Sequence, residues 1–440
     1  MIPPESHPPL LMPARPVPTA EAMVPAVGPV VWHGAWTTPM MRPSTAPWFE
    51  TWAEQGFTDQ SLRQVVRIHT GGAQVRIRLS NAYGSAPLRL TGAGIGRTAG
   101  AAAVHPDTMR TLLFAGCPST TIPAGGRAIS DPVTLPTDPL DELTITLYFK
   151  EATGPATYHQ LSMTTTYRAA GDHHRDPSAT AYTDTVQPAY GSWYYLEGVE
   201  TSGQHPLPEA VVTFGDSITD GFGATIDGHD RYPDHLAQRL VTAGCPHPVL
   251  NAGIGSNKLL TDSVLGGDAG LARFTRDVLD QPRVGTVIVL IGINDIQKTN
   301  DPTDGAEQNS PPVTARQLID GHRALIRAAH TRGVRAVGAT LTPYRGAAGW
   351  TPEGEAIRGQ VNQWVSTSGA YDAVVDFARA LDPNGTGRIR EELHIGDHLH
   401  PNPTGYRTMA DAIDLALLGG RANERGMGRR AGSGASGLMR

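Results

Sequence analysis

Lysine is nearly absent from this chain: of 36 basic residues only Lys150, Lys258 and Lys298 are lysines, a bias that looks like genome composition rather than function. Basic charge as a whole is in deficit. Against 42 acidic residues the net charge is −6, so there is no basic footprint for nucleic acid. Cysteine is scarce too. Cys117 and Cys245 make neither a zinc cage nor a disulfide framework, and at this separation they are expected as buried free thiols. No apolar run reaches the roughly 18 residues of a membrane span. The Pro-rich start, Pro3 to Pro29, lacks the charged opening and apolar core of a signal peptide. The expected location is therefore cytoplasmic, or periplasmic or secreted if the chain has been trimmed.

What is present is ample core material. The chain has 440 residues, 39% hydrophobic and 18% charged, which suggests two or three globular domains and excludes global disorder. Glycine (50) and proline (36) together make about a fifth of the chain, which favours loops and β structure over helix bundles.

Residues 1–28 read as a Pro-rich leader with little regular structure. Residues 29–202 carry short runs with period-two alternation. Val65–His69 and Val75–Leu79, separated by Gly71-Gly72, suggest a hairpin. Leu88–Leu90, Leu143–Leu147 and Ser162–Tyr167 continue the series. Many strands without a convincing helix predict a β-sandwich of jelly-roll kind. From residue 203 to 419 the pattern changes. Apolar runs at Val211–Phe214, Val249-Leu250, Val287–Ile291, Val334–Leu341 and Val374-Val375 alternate with helices expected at about 231–243, 313–332, 352–368 and 404–418. Gly333 and Gly369 sit where helix-ending glycines belong. The alternation predicts a three-layer α/β domain with a parallel, doubly buried sheet. The Gly-, Arg- and Ser-rich tail, 420–440, reads as disordered.

Chemistry concentrates in the second half. Phe214-Gly215-Asp216-Ser217-Ile218-Thr219-Asp220-Gly221 puts a serine directly after a buried strand, at the edge where open α/β sheets bind ligands. Ser and Asp also favour plain helix caps, so the stretch alone has a structural reading as well. Asp397-His398-Leu399-His400-Pro401 could supply both a base and its orienting carboxylate from one short loop. Its rivals are a metal site from His394, His398 and His400, which no convincing carboxylate or Cys set completes, and an ordinary loop histidine. Asn251-Ala252-Gly253-Ile254-Gly255-Ser256-Asn257 and Gly292-Ile293-Asn294-Asp295 each follow a strand. A glycine N–H and the Asn294 amide there could stabilise an oxyanion.

Together these four blocks, in this order, resemble the SGNH (GDSL) hydrolase family over about residues 208–418. The resemblance implies a flavodoxin-like α/β/α hydrolase domain with Ser217 as nucleophile, His400 as base and Asp397 as its orienter. It implies an oxyanion hole from the N–H groups of Ser217 and Gly253 and the Asn294 side chain. It calls for no cofactor and no metal. Trp32-His33-Gly34-Ala35-Trp36 and the segments 62–67 and 78–84 resemble, more loosely, bacterial two-domain members with a β-sandwich ahead of the hydrolase.

The function expected is a serine esterase acting on short acyl esters, acetyl foremost, of a carbohydrate or related small alcohol. An acyltransferase using the same acyl-enzyme, or a silent glycan-binding protein, are the alternatives. Asn257, Asp262, Gln297, Lys298 and Asn300 are expected as polar groups facing the alcohol. Trp32, Trp36, Trp193, Tyr194 and Tyr195 could stack on sugars, but burial is the expected use.

Overall fold

The computed structural model describes residues 30–44, 49–185, 191–203, 207–297 and 312–418. The expected leader and tail, with Lys298 and Asn300, lie outside these residues.

In the front half every strand pairing is antiparallel. One sheet runs Val31–Thr37, Leu196–Gly203, Gly72–Ser80, Val133–Thr137, with Arg127–Ile129 also on Gly72–Ser80. The other runs Asp184–Thr185, Thr166–Ala170, Gln60–Arg67, Glu142–Phe149, Gly92–Gly100, Ala103–Val104. Alternation does its expected work in Gly72–Ser80, where Val75, Ile77 and Leu79 point into the core and Arg76 and Arg78 point away. Val66, Leu143, Ile145 and Leu147 come from the second sheet into the same apolar cluster. Two stacked antiparallel sheets are consistent with a β-sandwich.

The hairpin expected around Gly71-Gly72 does not form. Gln60–Arg67 and Gly72–Ser80 belong to different sheets, and the chain crosses between them at this corner. The glycines serve close approach rather than a tight turn. A Cβ on Gly71 would lie 2.1 Å from the carbonyl of Thr137, and one on Gly72 would lie 2.5 Å from that of Ser202. The strand expected at Ser162–Tyr167 begins later, at Thr166. Residues just before it leave the sandwich, and Leu161 and Met163 join the apolar core of the second half.

That second half is built on a five-stranded parallel sheet. Its order is Val249–Gly253, Ala210–Gly215, Val284–Leu290, Arg335–Ala339, Ala373–Val375. In chain order this is 2-1-3-4-5, the doubly wound order of flavodoxin-like sheets. Ala210–Gly215 is buried along its whole length, as a strand covered on both faces must be. Tyr232–Thr242 packs on Pro403–Asp411, and Ala315–Thr331 packs on Pro352–Thr367. Thr314 and Thr351 cap their helices, accepting from the N–H groups of Gln317 and Gly354. Gly333 and Gly369 follow helix ends with φ of 69° and 67°, as expected. The last helix stops at Asp411, short of the expected 418, and Asp414 then caps a separate turn, Leu415–Leu417.

Cys117 and Cys245 are free but exposed, not buried, because both fall in surface loops. Trp36, Trp193, Tyr194 and Tyr195 are buried and pack edge-on, tilted or stacked against neighbouring rings. Among the described residues no helix is long and apolar enough to cross a membrane.

The two halves dock through polar contacts as well as apolar ones. His69 bridges the Val249 carbonyl (2.6 Å) and Asp234 (3.1 Å). Arg78 reaches Gln281 (2.6 Å), and Tyr83 and Arg42 both meet Asp268.

Candidate active site

Sheet order fixes the location of the site. The first strand, Ala210–Gly215, has neighbours reached by crossovers in opposite directions, and a crevice opens at its carboxyl end. Asp216 leaves the strand in an extended conformation and accepts from the Ile218 N–H (3.1 Å), so Ser217 becomes the first residue of a short helix, Ser217–Asp220. Burial raises the Asp216 carboxyl to about 7, against the pull of the Ile218 hydrogen bond.

Ser217 Oγ lies 2.9 Å from His400 Nε2. On the far side of the ring, His400 Nδ1 lies 2.6 Å from Asp397 Oδ2, while Asp397 Oδ1 accepts from the N–H groups of Leu399 (3.0 Å) and His400 (2.9 Å). Partial burial would raise the Asp397 carboxyl. The His400 hydrogen bond and charge and the two backbone donors outweigh it and hold the group down at about 2. Because Asp397 is a carboxylate, Nδ1 carries the ring proton and Nε2 is free to accept from the serine. Phe222 packs edge-on against the His400 ring with centroids 4.6 Å apart. Of the two candidate bases, His400 alone meets Ser217. His398 has φ of 59° and packs tilted against His394, with ring centroids 4.6 Å apart.

The metal reading takes a different form from the one the sequence suggested. Glu391, His394 and His398 bring ligand atoms within 4.8 Å of one another, and His400 is not among them. His394 Nδ1 accepts from the N–H groups of Gly396 (2.9 Å) and His398 (3.3 Å), so its proton is on Nε2, which faces Glu391 at 3.4 Å. A protonated ring nitrogen has no lone pair to offer a cation, so this group does not fit a metal.

The loop after Val249–Gly253 corrects a second expectation. Gly253 sits where a Cβ would come within 2.2 Å of the Asp220 backbone nitrogen, and its own N–H donates to Asn251 Oδ1 (2.8 Å). It has no donor left for a substrate. Along the same loop the Ile254 N–H goes to the Gly215 carbonyl (3.2 Å) and the Gly255 N–H to Asp220 Oδ2 (2.8 Å). Among the described residues the N–H groups of Ser217 and Ser256 have no hydrogen-bond partner. Ser256 adopts φ of 59°, the left-handed conformation that glycine accepts most readily. Asn294 donates one amide hydrogen to the Asn257 carbonyl (3.1 Å), which ties its side chain to the same loop, one residue beyond Ser256.

Two residues that the sequence reading did not single out hold this arrangement. Asp295 accepts from the N–H groups of Leu259 (2.7 Å) and Leu260 (3.0 Å). Fully buried Arg273 ties together the carbonyls of Gly215 (2.8 Å) and Ala252 (2.8 Å), Asn257 Oδ1 (2.9 Å) and Asp277 (3.2 Å), with its guanidinium 4.3 Å over the Phe214 ring. An arginine in a helix carries no sequence mark of such a task. Asn257 and Asp262, expected to face the alcohol, are used internally. Asn257 donates to the carbonyls of Gly266 and Asp268, and Asp262 accepts from Ala269.

Residues 213–408 match the model of the GDSL-like lipase/acylhydrolase family. Similar solved structures include the lipase/acylhydrolase from Enterococcus faecalis (19% identity, TM-score 0.36), which covers 46% of this chain and 92% of its own. Acetyl xylan esterase AlAXEase shows 21% identity and TM-score 0.34, covering 46% of this chain and 96% of its own. A mutant acetyl-xylooligosaccharide esterase from Geobacillus Stearmophilus shows 21% identity and TM-score 0.37, covering 47% and 93%. No curated protein gives a match. The stretch that holds Ser217, Asn294, Asp397 and His400 is a GDSL-like lipase/acylhydrolase domain.

Proposed function

We propose that this protein is a serine esterase that removes short acyl groups, acetyl foremost, from a carbohydrate or similar polyol. The observation that carries the reading is the continuous chain from Ser217 Oγ through the His400 ring to Asp397, at 2.9 and 2.6 Å.

In this reading His400 Nε2 takes the Ser217 proton as Oγ attacks the ester carbonyl. Asp397 balances the imidazolium. The tetrahedral oxyanion is met by the N–H groups of Ser217 and Ser256 and by the second amide hydrogen of Asn294. His400 then gives its proton to the departing alkoxide, which leaves as the alcohol with the acyl group on Ser217. Water, deprotonated by His400, attacks this acyl-enzyme, and collapse returns the carboxylic acid and free Ser217.

The short-acyl preference draws on the surroundings. A small apolar cleft shares Ser256 with the proposed oxyanion site and is walled by Met41, Phe49, Leu161 and Leu265. Such a space suits a few carbons rather than a fatty chain. Three of those walls come from the front half, so the sandwich helps shape the substrate site in this reading. The test is a hydrolysis screen of wild type and Ser217→Ala on p-nitrophenyl acetate, butyrate and palmitate and on acetylated xylo-oligosaccharides. Ser217-dependent turnover of acetate over palmitate is expected. Faster turnover of palmitate would overturn the short-acyl assignment.

A further inference from the structure

The sandwich sends one titratable side chain into the immediate support of the site. His159, from the two-residue strand Tyr158–His159, is 1% exposed, and its Nε2 lies 3.0 Å from Asp220 Oδ1 at the end of the Ser217 helix. The other oxygen, Asp220 Oδ2, accepts from the Gly255 N–H (2.8 Å). That amide directly precedes the residue whose own N–H is unpartnered.

We infer that His159 is a positioning residue for the oxyanion site, acting through Asp220 on the Gly255 N–H, one peptide before the Ser256 N–H. The inference rests on the esterase reading above and names what holds its second backbone donor in place.

Acceptors surround the His159 ring. Nδ1 lies 2.9 Å from the Pro39 carbonyl, and Nε2 faces the Leu161 carbonyl (3.1 Å) as well as Asp220. With an acceptor facing each nitrogen, the ring is held in one orientation, and its Nε2 meets the buried Asp220 carboxyl across the boundary between the two halves. Such a contact is directional, and losing His159 leaves Asp220 Oδ1 buried without that partner. Asp220 is thus fixed at both oxygens, by His159 on one side and by the loop on the other. Ser256 needs such a hold, because its left-handed backbone is unfavourable for a residue with a Cβ. Without the Asp220 anchor, the loop is free to relax toward an ordinary conformation and turn its N–H away from the acyl oxygen.

Displacing an oxyanion donor acts on the transition state far more than on bound substrate. In the full chain, His159→Ala and the isosteric Asp220→Asn should each lower kcat on p-nitrophenyl acetate about ten- to hundred-fold, with KM within about two-fold. Inhibition by butaneboronic acid, which forms a tetrahedral adduct on the serine, should weaken in parallel with kcat. His159→Gln, whose amide can still donate to Asp220, should recover most of the loss. Arg67→Ala removes a remote contact between the halves, to Gln238 and the His229 carbonyl, and should leave both readings unchanged. A folded His159 or Asp220 variant with wild-type kcat and boronate affinity would overturn the inference, as would an equal loss in Arg67→Ala. Ser217→Ala, assayed alongside, judges the esterase reading separately: activity surviving there would reject that reading whatever the His159 variants do.

Discussion

Gly253 and Asn251 satisfy each other across two residues of one loop: the glycine N–H donates to the asparagine side chain at 2.8 Å. This moves the second backbone donor of the proposed oxyanion hole three residues along, to Ser256. Ser256→Gly should keep wild-type activity and stabilise the fold by about 1 kcal/mol, since glycine accepts positive φ without penalty. Gly253→Ala should damage folding, because its Cβ would meet the Asp220 backbone at 2.2 Å. Thermal melts and p-nitrophenyl acetate assays of the two variants check this pair of outcomes.

Asn294→Ala should fold normally and lose about 100- to 1000-fold in kcat, the range for one oxyanion donor. A change in KM alone would place Asn294 in ground-state binding instead.

The two histidines of one loop should separate cleanly. His400→Ala is expected to be as damaging as loss of Ser217, whereas His398→Ala should keep substantial activity, because His398 packs against His394 rather than meeting the serine. Chelators should have no effect. Equal loss at both positions with recovery on added zinc would restore the metal reading.

Arg273 is buried at the carboxyl ends of two strands, with its charge paired to Asp277. Arg273→Met should cost about 3 kcal/mol in urea denaturation, because Asp277 and two strand-end carbonyls lose their donor.

The Asp397 carboxyl lies at about 2 in the folded protein against an ordinary 3.8. Its folded pKa is depressed, so its contribution to stability is present above about pH 4 and is lost as pH falls through about 2. Asp397→Asn should therefore be less stable than wild type at pH 6, modestly so because the group is partly exposed, and the gap should close toward pH 2. Denaturation curves of both proteins across this window test the sign.

The back half was legible because doubly buried parallel strands print themselves as apolar runs. Val287–Ile291 was expected where Val284–Leu290 stands, and Tyr232–Thr242 and Pro352–Thr367 fall within a residue or so of their expected helices. The front half was legible by face but not by partner. Alternation shows which side of Gly72–Ser80 is buried, but it is silent on which sheet receives it, and a Gly-Gly pair serves a turn or a close approach equally well. Ser217, His400 and Asp397 could be read from spacing because they are close in chain to elements that position them. The Ser256 donor could not be, since it depends on a backbone angle and on the Gly253 N–H being taken. Asn257 and Asp262 misled for a related reason: a polar side chain in a loop gives no sign of the carbonyl or amide it meets several residues away. His159 and Arg273 lie 58 and 56 residues from Ser217 along the chain, and only the docked fold brings them to it.

Ser217 as nucleophile is tested by intact-protein and peptide mass spectrometry after exposure to diethyl p-nitrophenyl phosphate, with Ser217→Ala in parallel. A single phosphoryl adduct on Ser217 is expected, with complete loss of p-nitrophenyl acetate hydrolysis once it forms, and neither adduct nor hydrolysis in the alanine variant. An adduct on another residue that abolishes activity, or wild-type turnover by Ser217→Ala, would contradict it.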